Sequence, residues 1–150
     1  MPDDVVFNHL GHCVTDLARS RRFYEELLGF EFQREIHPPD DPSSILLRLP
    51  RPLGMTAAYL RRDGLVLELL HFASGTAAAR ERVMNEPGLT HISLSVDDVD
   101  AVCRRVGGYG GEVLDDTNIG SGIFIRDPDG QLIELLAMSY REHLDAASDA

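Results

Sequence analysis

The sequence has few cysteines, a shortage of basic residues and no long apolar segment. Two cysteines, Cys13 and Cys103, are too few for a disulfide framework, so we expect both thiols to be reduced. Fourteen basic residues against 25 acidic ones give a formal net charge of −11, which argues against nucleic acid and anionic membranes as partners. No apolar run approaches the roughly 18 residues of a membrane-spanning helix.

Chain length and the first residues determine the expected domain organisation and compartment. A chain of 150 residues suits one compact domain with a sizeable core, which we predict to cover residues 1–150. The acidic start, Met-Pro-Asp-Asp, has no apolar signal-peptide core. The predicted location is therefore the cytoplasm, the default for a chain without a targeting segment.

One short motif occurs twice. Residues 63–70 read DGLVLELL and residues 129–136 read DGQLIELL. Asp-Gly before an apolar run predicts a tight turn, so each Glu should lie on a strand that leaves a hairpin. A carboxylate inside an apolar strand is costly unless something compensates its charge. Glu68 and Glu134 hold the same place in both copies, 66 residues apart, which indicates a shared task with metal ligation as the first candidate.

Residues 5–72 are predicted to form the first of two modules. The first strand is predicted over residues 5–15, and the following helix is capped by Asp16 and ended by Gly29. Residues 37–42, rich in proline, are predicted to be a loop. Further strands are predicted at Phe30–Ile36, Ile45–Leu49, Met55–Leu60 and around Glu68.

A linker over residues 73–88 is predicted to separate the modules and to contain a short Ala-rich helix at Ala77–Asn85. Module two is predicted over residues 89–138, with a helix capped by Asp97 or Asp98. The remaining predicted segments are strands at Thr90–Val96, Glu112–Leu114, Ile123–Arg126 and Gln131–Leu136, and a polar tail over residues 139–150 with at most one helical turn.

The spacing of equivalent residues supports a duplicated unit. His9 to Gly29 and His91 to Gly111 each span 20 residues. His9 to Asp16 and His91 to Asp98 each span 7 residues. The sequence therefore predicts an α+β domain of two similar βαβββ modules and not a doubly wound sheet.

Strand alternation groups the candidate chemical residues. His91 shares a predicted strand face with Ser93, and His9 shares one with Gly11. If a pseudo-twofold relates the modules, two imidazoles and two carboxylates converge with two open positions, a set that suits an octahedral divalent metal. The four candidate metal ligands are His9, Glu68, His91 and Glu134.

Other polar residues receive structural interpretations. His12 is predicted to pack with its apolar neighbours, and His71 falls on the strand face opposite Glu68. His37 and His143 are predicted to be exposed to solvent. The arginines that could hold a substrate anion, with solvated charges as the alternative, are Arg48, Arg61 and Arg62.

Three stretches resemble the vicinal oxygen chelate superfamily, which includes glyoxalase I, methylmalonyl-CoA epimerase, extradiol dioxygenases and the fosfomycin and bleomycin resistance proteins. They are HLGHCVTDLARSRRFYEELLGF at residues 9–30, GLTHISLSVDDV at 88–99 and DPDGQLIELL at 127–136. The resemblance covers about residues 5–138 and implies paired βαβββ modules around a cupped mixed sheet. It places the metal ligands at His9, Glu68, His91 and Glu134, a set most similar to that of bacterial glyoxalase I.

The resemblance implies a metal-dependent lyase or isomerase whose substrate is a small molecule with adjacent oxygens. The expected cofactor is a divalent metal ion (Ni, Co, Mn, Fe or Zn), with Glu68 or Glu134 moving the proton. Family members commonly dimerise, so we expect a homodimer. The alternatives are a non-catalytic drug-binding protein and a ring-cleaving extradiol dioxygenase.

Two positions depart from the glyoxalase I pattern. Cys13 stands where that type usually has an arginine for the thiol cosubstrate, and Phe72 stands where it often has an asparagine. The epimerase alternative needs an acid on the strand predicted at Ile45–Leu49, which has none. Extradiol enzymes need a histidine in place of Glu68.

Overall fold

The computed structural model describes residues 4–142. The chain divides into two compact units, Met1–Ala78 and Ala79–Ala150, which we call module one and module two. Each contains a four-stranded mixed sheet, so the predicted α+β fold with two similar modules is confirmed. Within the described residues, no helix has the length and apolar character needed to cross a bilayer.

Module one contains four strands and two helices. They are β1 (Leu10–Cys13), α1 (Leu17–Arg22), β2 (Glu31–Ile36), α2 (Asp40–Leu47), β3 (Met55–Arg62) and β4 (Leu65–Phe72). The sheet order is β1-β4-β3-β2, with β1 parallel to β4 and the other neighbours antiparallel. A bulge between Phe32 and Arg34 shifts the pairing of β2 with β3 by one residue.

Local chemistry explains why α1 begins and ends where it does. Asp16 has an extended backbone, and its carboxylate accepts a hydrogen bond of 3.0 Å from the Arg19 backbone N–H, so the predicted cap is confirmed. The helix continues as a π-helical turn over Phe23–Leu27 and ends before Gly29, whose φ of +73° favours glycine. The buried apolar side chains of module one are Val14, Phe23, Tyr24, Leu27, Phe30, Leu53, Ala57, Ala58, Leu60, Leu67 and Leu69.

The turn between β3 and β4 fixes the register of the candidate site. Only Asp63 and Gly64 separate the two strands, and their φ angles are +45° and +85°. Positive φ at both residues is the requirement of a type I′ hairpin turn, so the predicted tight turn is confirmed. A two-residue turn pairs Tyr59 with Glu68 across the hairpin.

The prediction of a loop followed by a strand at Ile45–Leu49 is wrong. Residues Asp40–Leu47 form helix α2, because Pro42 lies in the first turn, where no intrahelical N–H bond is lost. Asp40 also accepts hydrogen bonds of 3.2 Å from the backbone N–H groups of Leu53 and Gly54, which ties the helix start to the chain before β3. Without the extra strand, module one has the four strands of a βαβββ unit.

Module two repeats the strand order of module one. Its elements are β5 (His91–Val96), α3 (Val99–Val106), β6 (Glu112–Leu114), β7 (Gly122–Arg126) and β8 (Leu132–Ala137). The sheet order is β5-β8-β7-β6, with β5 parallel to β8. Asp98, one of the two predicted caps, accepts a hydrogen bond of 2.9 Å from the Ala101 backbone N–H. The buried apolar side chains are Val106, Ile123, Ile125, Leu132, Ile133 and Leu135.

The helix predicted at Ala77–Asn85 is also wrong, since that segment is irregular. A short helix gains little without a surface to pack on, and here side chains make other contacts. Arg82 donates to the backbone carbonyl of Glu86 at 3.3 Å, and Glu81 pairs with Arg126 at 2.9 Å.

The ends of the predicted segments differ in detail. The first strand is shorter than predicted, since β1 covers only Leu10–Cys13 of residues 5–15. Residues 139–142 form one helical turn. The rest of the predicted tail, residues 143–150 with His143, lies outside the described residues.

Candidate functional site

The site in module one is built on two parallel neighbouring strands. His9 directly precedes β1, and Glu68 lies in the middle of β4, opposite Gly11. His9 Nε2 is 3.3 Å from Glu68 Oε1. Glu68 is only 9% exposed, while Leu67 and Leu69 on the other strand face are fully buried. The strand alternation therefore brings a carboxylate to the imidazole from inside an apolar strand.

A tyrosine holds the second oxygen of this carboxylate. The Tyr59 hydroxyl donates a hydrogen bond to Glu68 Oε2, and the His9 and Tyr59 rings meet edge to face with centroids 5.5 Å apart. Burial, followed by the hydrogen bond to Glu68, raises the pKa of Tyr59 to about 12. Tyr59 therefore remains a protonated donor at neutral pH.

Module two builds the corresponding pair with a different donor. His91 begins β5, and its Nε2 lies 4.0 Å from Oε1 of Glu134 in the middle of β8. Ser93, opposite Glu134 on β5, donates a hydrogen bond of 2.8 Å from its hydroxyl to the same oxygen. Phe124, opposite Glu134 on β7, contacts the His91 ring edge to face at 5.2 Å.

The residue before each histidine holds the other ring nitrogen. His9 Nδ1 donates to the side-chain oxygen of Asn8, and His91 Nδ1 is hydrogen-bonded to Thr90 Oγ1 at 2.8 Å. In each module Nε2 is then the nitrogen that faces the glutamate. When Nδ1 of His9 carries the ring proton, the Nε2 lone pair and the carboxylate oxygen both need a proton or a cation.

This donor set fits a divalent metal. Nitrogen and oxygen ligands at Nε2 and Oε1, with the remaining ring nitrogen held by a neighbour, are the features of histidine–carboxylate metal ligation. Among residues 4–142, no group of three or more His, Cys, Asp or Glu side chains is close enough to hold a metal ion. Within the modules, the structure brings His9 to Glu68 and His91 to Glu134; that all four share one metal remains a prediction.

Each glutamate lies in a row of four residues that crosses the whole sheet. In module one the row is Arg34, Tyr59, Glu68 and Gly11 on β2, β3, β4 and β1. In module two the corresponding row is Leu114, Phe124, Glu134 and Ser93 on β6, β7, β8 and β5. The strand orders match, so the two rows compare position by position.

Sequence reasoning missed several of these residues. Tyr59 has a usable signal, because a two-residue turn at Asp63–Gly64 pairs it with Glu68. Asn8 and Thr90 carry a weaker signal, as polar residues that each precede a candidate ligand. Arg34 has none, since the bulge in β2 determines its partner.

The other predicted residues lie outside the two pairs. His12 contacts the Tyr24 ring edge to face at 6.1 Å, in agreement with a packing role. His71 pairs with Thr56 on the face opposite Glu68. His37 lies 3.2 Å from the Thr56 hydroxyl through Nδ1.

Two of the three candidate arginines serve the fold. Arg62 donates to the Gly29 carbonyl at 3.2 Å, and Arg48 ends α2 in a left-handed conformation. Arg61 is exposed and pairs with Val66 across the hairpin. Only Arg61 among the three lies on the strand face of Glu68.

Known proteins resemble the chain in sequence. A family model described as Glyoxalase/Bleomycin resistance protein/Dioxygenase superfamily matches residues 6–135. A lactoylglutathione lyase from Pseudomonas aeruginosa is 28% identical over 148 residues, which cover 91% of this chain and 84% of the relative. The resemblance to the vicinal oxygen chelate proteins is thereby confirmed.

Solved structures resemble the chain in fold. The trypanothione-dependent glyoxalase I of Leishmania major has a TM-score of 0.69 at 26% identity, covering 93% of this chain and 91% of that one. The fosfomycin resistance protein FosX of Listeria monocytogenes, complexed with Mn(II) and sulfate, has a TM-score of 0.62 at 20% identity, covering 93% and 97%. Since the family model spans nearly the whole described chain, the protein belongs to the Glyoxalase/Bleomycin resistance protein/Dioxygenase superfamily.

Proposed function

We propose that the protein is a metal-dependent lyase or isomerase of glyoxalase type that acts on a small substrate with two adjacent oxygens. The observation that carries the proposal is the matched His–Glu pair, His9 with Glu68 and His91 with Glu134, at the same register of both modules. Likeness to the P. aeruginosa lactoylglutathione lyase supports a lyase.

His9, Glu68, His91 and Glu134 would hold the metal, supplied by one chain or by two. Ni, Co, Mn, Fe and Zn all accept such ligands, and the FosX relative was solved with Mn(II). When bound, the metal supplies Lewis-acid polarisation of the two substrate oxygens.

The glutamates are proposed to move the proton between neighbouring carbons. Glu68 is held by the Tyr59 hydroxyl, and its side chain is 11% exposed against 28% for Glu134. Glu134 is therefore the more accessible base, and the Ser93 hydroxyl keeps one of its oxygens in place. We propose Glu134 as the main proton carrier and Glu68 as the more firmly fixed ligand.

The cosubstrate is proposed to differ from that of the lactoylglutathione lyases. Cys13 and Phe72 provide neither the cation nor the amide that the glyoxalase I pattern places there for glutathione. The substrate class therefore has to be recognised by other residues of the site.

A drug-binding protein is the second candidate, favoured by the fold shared with the fosfomycin resistance protein FosX. A binder needs no proton carrier, so turnover separates the two functions. A ring-cleaving dioxygenase is disfavoured, because His71 lies on the strand face opposite Glu68 and cannot replace it.

The metal proposal is tested with Glu134→Gln. We expect the variant to bind less metal, to lose most of the metal-dependent rise in melting temperature, and to lose proton transfer, because one anionic ligand becomes neutral. Metal content and melting temperature are measured after chelation and re-addition. Glu142→Gln, at the exposed end of the described chain, is the matched control and should behave as wild type. Full stoichiometry and an unchanged melting shift in Glu134→Gln would contradict the four-ligand site.

We also propose a homodimer. Helix α2 exposes Ile45 at 79% and Leu46 at 83%, an apolar surface that association would cover. Light scattering at micromolar concentration with metal present measures the molecular mass, and a monomer would contradict this proposal.

A further inference from the structure

Arg34 extends the module-one site toward the edge of the sheet. It lies on β2 directly opposite Tyr59, and its guanidinium carbon is 5.1 Å from the centre of the Tyr59 ring. Tyr59 in turn donates to Glu68, which faces His9. The Arg34 cation therefore lies on the same sheet face as the proposed metal ligand Glu68, with Tyr59 between them.

Arg34 differs from five other arginines of this chain in having no carboxylate partner among the described residues. The chain contains no lysine, and all fourteen basic residues are arginines. Ion pairs with carboxylates occupy Arg21, Arg22, Arg51, Arg80 and Arg126. Within the described residues Arg34 forms no ion pair; its guanidinium lies on an aromatic ring and is exposed to solvent.

Module two shows that the fold does not require a cation at this position. The residue that corresponds to Arg34 is Leu114, opposite Phe124. Both sheets have the same strand order. On the two antiparallel strands beyond the glutamate, the row of module one has polar residues where the row of module two has apolar ones. The presence of a guanidinium at this position is therefore better explained by a role in the candidate site than by a requirement of the sheet.

We propose that Arg34 binds an anionic group of the substrate, a carboxylate, phosphonate or phosphate, next to the two oxygens that define the substrate class. This inference rests on the proposed function. A guanidinium presents a planar fork of donors that matches such groups, and the Tyr59 ring keeps it oriented. In a chain of net charge −11, it also gives an approaching anion a local attractive point.

The test uses probes that separate chelation from anion binding. Catechol offers two adjacent oxygens without a further charge, and 2,3- and 3,4-dihydroxybenzoate add a ring carboxylate at two distances. Calorimetry on protein reconstituted with Mn(II) gives the Kd of each probe. The measured quantity is the ratio of the catechol Kd to the dihydroxybenzoate Kd, compared between wild type and variants. The ring carboxylate also changes the acidity of the catechol hydroxyls, but this effect is the same for wild type and variants and cancels when their ratios are compared.

For Arg34→Leu, which copies Leu114, we expect the ratio for at least one isomer to fall roughly tenfold while catechol binds as in wild type. Arg34→Lys should retain part of the ratio, because it keeps the charge without the fork. Arg104→Leu, which removes an exposed charge from α3, is the matched control and should leave the ratio unchanged.

Each outcome decides between the two proposals. An unchanged ratio in Arg34→Leu for both isomers would overturn the role of Arg34. This holds even if the variant binds catechol more weakly, because an equal loss for all probes means that the guanidinium only balances the charge of Glu68. Failure of catechol to bind, with Arg34-dependent binding of a dihydroxybenzoate, would support Arg34 and contradict the chelating function. Absence of binding by all three probes would overturn both. Arg34→Gln, with its melting temperature checked, repeats the test if the leucine variant does not fold.

Discussion

In both modules a hydroxyl group donates a hydrogen bond to the equivalent glutamate, but the hydroxyl comes from a different neighbouring strand in each. In module one the donor is Tyr59 on the antiparallel neighbour strand, and the parallel neighbour contributes Gly11. In module two the donor is Ser93 on the parallel neighbour, and the antiparallel neighbour contributes Phe124. A buried or half-buried carboxylate needs a donor, but the sheet can supply it from either adjacent strand.

The comparison also separates the two glutamates by accessibility. The Glu68 side chain is 11% exposed, whereas the Glu134 side chain is 28% exposed. One duplicated register therefore yields a fixed carboxylate and an accessible one. Exchanging the donors between the modules is the direct way to test this difference.

The largest stability effect is expected from Tyr59→Phe, which gives module one the residue of module two. The buried Glu68 loses its donor, and we expect a cost of about 1–3 kcal/mol in the free energy of unfolding of the metal-free protein. Chemical denaturation measures this cost. Tyr109→Phe, whose hydroxyl is hydrogen-bonded to Arg105 at the surface, is the control and should cost less. An equal cost in both variants would show that the Tyr59 hydroxyl does not serve Glu68.

Alkaline pH should remove the advantage of Tyr59 over phenylalanine. The pKa of Tyr59 is raised to about 12, so the folded state favours the protonated hydroxyl. Its contribution is fully present below the unfolded pKa of about 10 and is lost as pH rises through the folded value. The difference in unfolding free energy between wild type and Tyr59→Phe should therefore shrink above pH 10. A difference that stays constant or grows toward pH 12 would contradict the assigned shift.

A smaller effect is expected from Ser93→Ala. The hydroxyl of Ser93 serves a half-exposed carboxylate that water can also solvate, so we expect a cost of about 0.5–1 kcal/mol. Ser95→Ala, two residues further along the same face of β5, provides the matched control in the same denaturation experiment. A cost above that of Tyr59→Phe would reverse the ranking of the two donors.

The parts of the molecule that the sequence predicts well are those fixed by short-range chemistry. Asp16 and Asp98 cap helices because a carboxylate satisfies the first backbone N–H groups, and Asp63–Gly64 turns because both residues accept positive φ. Periodicity also places each histidine on the face of its glutamate. These features need no knowledge of distant contacts.

The parts that could not be predicted depend on distant partners. Ile45 and Leu46 look like strand residues, but the two hydrogen bonds of Asp40 and the helix-compatible Pro42 make them part of α2. The Ala-rich linker has helical propensity, but its residues are mostly exposed to solvent, and a short helix without packing is only marginally stable. The position of Arg34 depends on the bulge in β2, which cannot be recognised from the alternation of residues within that strand.

The bulge in β2 has a consequence for sequence alignment. Glu31 and Phe32 pair with Arg61 and Leu60, whereas Arg34 pairs with Tyr59, so Gln33 is the additional residue of the strand. A relative without this residue would keep every cross-strand partner of the row. An alignment that matches β3 and has no gap would set Gln33 of this chain against the relative's residue that corresponds to Phe32. The substrate-contacting position on β2 is therefore matched between relatives by its partner Tyr59 and not by counting along the strand.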